Sequence, residues 1–182
     1  MPNWCHNHII LKHTDAEMIA KAKEGFEGNG FLSAFMPVPQ ELVDTIAGRV
    51  GDPVEQAKLK QQEDANIAKY GFKNWYDWSV ANWGTKWDIT TDGAPVTISA
   101  DGLTLTAFVL SAWGPPIEAY RTIQEKFGFE IESHYYEPGM CFFGTYNNGN
   151  DKYVNYSSFD EIPDEFIDMF GIENYDEEEE DA

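Results

Sequence analysis

Residues 103–136 read LTLTAFVLSAWGPPIEAYRTIQEKFGFEIESHYY. Leu103 to Leu110 alternates as a half-buried strand does, with Leu103, Leu105 and Val109 on one face. Trp113-Gly114-Pro115-Pro116 ends that strand and starts a helix, because proline lacks a ladder donor but suits a first helical turn. Ile117, Tyr120, Ile123 and Phe127 then recur at helical spacing, and Gly128 closes the helix. Phe129 to Tyr136 reads as a second strand. Asp101-Gly102, just upstream, predicts a tight turn that pairs Val96–Ser99 with Leu103–Leu110.

The amino-terminal half repeats the theme. Residues 7–12 read as a strand. Thr14 and Glu17 have capping-box spacing, and Met18, Ile19, Ala22 and Phe26 share a helical face that ends near Gly25. Two strand–helix units on one sheet make an α+β fold, a ferredoxin-like antiparallel sheet with two helices on one face. Pro138-Gly139 and Asn148-Gly149 are turn signals around Met140–Tyr146 and Lys152–Tyr156, which add strands at the carboxyl end. Residues 31–40 are apolar and proline-punctuated, so a short buried strand or extended loop is expected. Asp52-Pro53 starts an exposed helix running to Tyr70, and Asn74 caps a short helix stopped by Gly84. Together these predict a helical insertion at about 53–83. Thr85–Thr91 alternates as a strand would, with Trp87 and Ile89 on one face. The expected organisation is a ferredoxin-like domain over 1–159 and an acidic helix and tail over 160–182. The helix, Pro163–Phe170, is expected to dock through Ile162, Phe166 and Phe170.

The chain's 182 residues suffice for one core without staples. Its 42% apolar content and 27 Phe, Tyr and Trp residues exclude disorder for the bulk of it. There are 32 acids and 12 bases, a net charge of −20, which argues against direct binding to nucleic acid or to an anionic membrane. Twelve of the acids and none of the bases fall in residues 160–182, so −12 of the charge rides there and −8 on the rest. Asp176 to Asp181 is an unbroken acidic run. The start lacks the basic and apolar pattern of a secretory signal, and the longest apolar stretch falls short of the ~20 residues a bilayer needs. With only Cys5 and Cys141, a cytoplasmic protein with reduced thiols is expected.

Three segments stand out: Asn3-Trp4-Cys5-His6-Asn7, Asn82-Trp83-Gly84-Thr85-Lys86-Trp87-Asp88, and Ala112-Trp113-Gly114-Pro115-Pro116. In that order they resemble the YubB-like family of phage- and plasmid-borne proteins, over roughly residues 2–156. The resemblance implies a ferredoxin-like fold without an iron–sulfur cluster, and a mobile-element origin. It implies no catalytic residues.

Residue chemistry narrows the function further. Motifs of Trp, Asn and Gly serve as polar staples of a core, since a buried indole N–H needs an acceptor and Asn satisfies backbone groups. In a strand His6 and His8 point one way and Cys5 the other, so no metal and no cofactor is expected. No metalloprotease motif or nucleophile elbow occurs, and the expectation is a non-enzymatic protein. The leading reading is an acidic phage-type protein that binds and inhibits a host DNA-handling or defence protein by imitating DNA. The partner would present a basic nucleic-acid-binding surface to Asp160, Glu161, Asp164, Glu165, Asp168, Glu173, Asp176, Glu177 and Glu178. The alternative is a nucleotide-binding or sequestering protein, with Trp83, Trp87 and Trp113 stacking a planar group and Lys86 meeting a phosphate. The partner's identity and the oligomeric state are not encoded in any motif.

Overall fold

The computed structural model describes residues 3–28, 30–89, 91 and 93–173. Six strands form one wholly antiparallel sheet: β1 (Trp4–Lys12), β2 (Thr97–Ile98), β3 (Thr104–Ala112), β4 (Glu130–Glu137), β5 (Phe142–Asn147) and β6 (Asn150–Asn155). Their spatial order is β2-β3-β1-β4-β5-β6. The first four strands in that order are the ferredoxin-like arrangement, and the last hairpin extends it beyond β4. α1 (Ala16–Glu27) follows β1, and α6 (Ile117–Phe127) links β3 to β4.

One face of the sheet carries the main core. Ile9 and Leu11 of β1 lie opposite Ala107 and Leu105 of β3, and Leu11 also faces Ile131 of β4. All are buried, against Ile19, Ala22 and Phe26 of α1 and Ala119, Tyr120 and Ile123 of α6. Period-2 strands and period-3.6 helices thus meet apolar side to apolar side. α6 ends as expected at Gly128, whose φ of 76° is open to glycine at low cost. α1 differs in two details. Its cap is Asp15, whose carboxylate accepts from the Glu17 N–H at 2.9 Å, so Thr14 is displaced from that role. Gly25 lies inside the helix, where a Cβ would come within 3.0 Å of the Phe31 Cα. A side chain there would push away the next helix.

The insertion is larger than its sequence boundaries suggest. Before the expected helices α4 (Pro53–Tyr70) and α5 (Trp75–Trp83) come α2 (Phe31–Phe35) and α3 (Gln40–Val43). The 31–40 segment is therefore helical at both ends, not a strand. Phe31 stacks on Phe26 at 4.4 Å, and the α2 amino terminus is satisfied from afar. The Asp88 carboxylate accepts from the Leu32 N–H at 2.8 Å and the Ser33 N–H at 2.7 Å. That role explains a second correction: Thr85–Ile89 is an irregular strap, not a strand. The Thr85 hydroxyl donates to the Ala112 carbonyl at 2.8 Å, and Asp88 turns inward to cap. α4 is mostly exposed, with only Leu59 and Asn66 buried, as its thin apolar stripe predicts. Asn66 fixes it by donating to the Thr45 hydroxyl and the Lys73 carbonyl, both at 2.8 Å.

The opposite face of the sheet is also covered. α7 (Asp164–Phe170) lies across outward positions of β1, β3, β4 and β5. Phe166 packs on Phe143 at 4.9 Å and on His134 at 5.6 Å, while Phe170 meets Phe108 and Tyr136 at 6.3 and 6.1 Å. Ile162 and Phe166 are buried, and Phe170 is half-buried. Removing Phe166 from water contributes about 2 kcal/mol toward holding the helix.

Candidate functional site: an acidic face and an aromatic end

The docking of α7 sorts its side chains by chemistry. Ile162 and Phe166 face the sheet, so Asp160, Glu161, Asp164, Glu165, Asp168 and Glu173 are left exposed. None of the six is ion-paired with a base among the described residues. At a rise of about 1.5 Å per residue, Asp164, Glu165 and Asp168 place three charges within roughly 6 Å of helix axis. Duplex DNA carries one per about 1.7 Å. Asp176, Glu177 and Glu178 lie outside the described residues.

At one end of the sheet the three Trp-containing segments come together. The Trp113 N–H donates to the Asn3 carbonyl at 2.9 Å, and Thr85 reaches Ala112 as above. Trp4 and Trp87 approach to 5.9 Å. Below them is a polar interior. The Asn7 amide donates to the Cys5 carbonyl and the Ser111 hydroxyl, both at 2.9 Å. Glu137, also buried, accepts from the Gly139 N–H at 2.9 Å and the Met140 N–H at 2.5 Å. These are staples of a β-sheet end. Cys5 is wholly buried, and burial pushes its thiol well above the ordinary cysteine range. A thiol that is neither ionised nor accessible is not a nucleophile. As the strand geometry requires, His8 lies on the other face; burial, then the nearby His134, holds it below the usual histidine range. Among the described residues no three His, Cys, Asp or Glu side chains gather as metal ligands.

The four residues of the expected nucleotide pocket divide. Trp83 is buried, and its indole N–H donates to the Met36 carbonyl at 3.0 Å, a structural role. Trp87 is 37% exposed, with the Lys86 ammonium 4.2 Å from its ring centroid. Trp83, Lys86 and Trp87 border a hollow of about 310 Å³ with Val38, Val43 and Trp75. Trp113 is not among its lining residues; it takes a φ of 72° and sets its ring against the edge of Tyr76 at 6.2 Å. Lys86 also lines a second groove, of about 450 Å³, on the side of Arg49, Lys73, Trp75 and Tyr76. Sequence reading did not single out those four. Their only signals were the Asn74 helix cap and the density of tryptophan around it.

No helix among the described residues is long and apolar enough to cross a membrane. No curated protein matches the chain. Among solved structures, the crystal structure of the protein Api92 from Yersinia pseudotuberculosis aligns with 87% of this chain and 99% of its own. The identity is 11% and the TM-score 0.42. The model of the family described as the ferredoxin-like domain in Api92-like protein matches residues 82–181, from the Asn82-Trp83-Gly84 motif through β2 to β6, α6 and the acidic end, with β1 and α1 outside the match. With more than half of its length matched and the sheet order described above, the chain belongs to this family of ferredoxin-like domains in Api92-like proteins.

Proposed function

We propose that this chain is a non-enzymatic binding protein whose acidic face engages a partner with a basic, nucleic-acid-binding surface. The observation that carries this reading is the sorting of α7. Its apolar side is consumed by the sheet, and Asp160, Glu161, Asp164, Glu165, Asp168 and Glu173 are all left exposed without ionic partners among the described residues. Docked on the sheet, α7 holds Asp164, Glu165 and Asp168 within roughly 6 Å of helix axis, a charge density near that of duplex DNA, so less backbone ordering is lost on binding. Field complementarity with a Lys- and Arg-lined cleft then speeds encounter and makes it salt-sensitive. The resemblance to phage- and plasmid-borne proteins supports a partner in the DNA-handling or defence machinery of a host cell, and an intracellular site of action. Burial of Cys5 supports the non-enzymatic reading.

The test compares the natural chain with a variant in which Asp160, Asp164 and Asp168 become Asn and Glu161 and Glu165 become Gln. Both are used to capture proteins from host lysate at low and high salt, and the captured protein is then challenged with duplex DNA. The expected result is a DNA-handling protein held by the natural chain, released by salt, lost by the variant and displaced by DNA. Equal capture by the two chains, or indifference to DNA, would sink the proposal.

A further inference from the structure

In so acidic a chain, the location of each unneutralised cation is informative. Among the described residues, six of the 12 bases are in ion pairs: Lys12, Lys23, Lys58, Lys60, Lys69 and Arg121. Three of the other six, Arg49, Lys73 and Lys86, open on the same groove of about 450 Å³. They come from separate segments: the α3–α4 loop, the α4–α5 turn and the strap after α5. Two half-buried aromatic rings, Trp75 and Tyr76, stand edge to face in its wall at 5.9 Å. Asn74 accepts from the Tyr76 and Asp77 N–H groups at 3.0 and 3.2 Å, so the positive end of α5 also lies in this wall. Glu63 and Asp77 line the groove too, leaving three cations against two carboxylates.

We infer that this groove binds a nucleoside monophosphate, with the phosphate on Arg49, Lys73 and Lys86 and the base against Trp75 and Tyr76. The chemistry selects that class. Guanidinium and ammonium groups lining one groove can bond a compact anion, and the face of one aromatic ring in its wall suits a planar base. The volume falls in the range of about 300–1,000 Å³ typical of small-molecule sites. Size excludes a polymer: a long polyanion would meet the field of the whole −20 chain, whereas a mononucleotide within a Debye length of about 8–10 Å senses the local cations. This inference does not depend on the acidic face, which involves none of these residues.

The experiment titrates the full chain with AMP, GMP, CMP and UMP, reading tryptophan emission and heat, with adenosine and inorganic phosphate as partial ligands. The second protein is the R49Q/K73Q double variant. Both positions are exposed, and circular dichroism and the melting curve verify that its fold is kept. At least one nucleotide is expected to saturate. Adenosine and phosphate should each bind about tenfold more weakly or worse, and the double variant should lose about tenfold, the size expected for charge-assisted contacts. No saturable binding by any of the four, phosphate binding as well as the nucleotides, or an unchanged double variant would each overturn the inference. The substitutions make the chain more acidic, so capture of a basic partner through α7 should persist, and failure here is distinguishable from failure of the acidic-face reading.

Discussion

The two faces of the sheet are built to different standards. Under α1 and α6 the contact is broad and continuous, and its strand residues Ile9, Leu11, Leu105, Ala107, Val109 and Ile131 are essentially excluded from water. Under α7 the contact is a small apolar cluster of Phe143, Ile162 and Phe166 with half-buried rings around it. α7 has only seven residues, and its Pro163 cap offers no side-chain acceptor to the first turn. A helix that short does not hold its shape alone. The first face is what makes the domain fold; the second fixes the display of charge. Cooperative unfolding should belong to the first and local opening to the second.

Three experiments press on that difference. The largest effect is expected from Ile9→Ala, which opens a cavity in the helix-covered core and should cost about 3 kcal/mol in urea unfolding. A loss below about 1 kcal/mol would show that this face is not the cooperative centre. Phe166→Ala should cost less globally, about 1–2 kcal/mol, because α7 can detach before the sheet does. Hydrogen exchange should then show α7 deprotected while β1 stays protected. Simultaneous loss in both would merge the two faces into one unit. The smallest effect concerns acid. His8 lies under the α7 side with its proton affinity lowered, so the unfolded chain binds the proton more readily than the folded one. Its contribution is complete above the ordinary value of about 6.5 and fades as pH falls below that toward the lowered value. His8→Gln should therefore lessen the stability lost between about pH 7.5 and 5.5. An unchanged slope would move the pH response to other groups.

What the sequence made legible follows from where each signal resides. The strand–helix–strand unit at 103–136 could be read because its core residues, its breaker Trp113-Gly114-Pro115-Pro116 and its Gly128 stop are all local. The same holds for α7, whose Ile162, Phe166 and Phe170 spacing gave both helix and docking side. Residues 31–40 and 85–89 misled because each is completed by the other: the cap of α2 is a carboxylate 56 residues away. All six exposed acids of α7 and its flanks (Asp160, Glu161, Asp164, Glu165, Asp168 and Glu173) could be named from the sequence, because they lie in one base-free acidic segment. The groove at Arg49, Lys73 and Lys86 could not, since nothing in their spacing shows that a loop, a turn and a strap will converge.

The tie made by Asp88 has a consequence for how the family can vary. One carboxylate joins the start of α2 to the strap and also takes the Ile89 N–H at 2.9 Å, and Gly30 leaves it room, for a Cβ there would sit 2.2 Å from an Asp88 oxygen. Both ends of the helical insertion are therefore clasped at a single point. Lengthening the chain inside such a closed loop costs little, about 0.6 kcal/mol per doubling. Helices α3 and α4 and the loops beside them can therefore change in length or sequence at little cost to the sheet beneath.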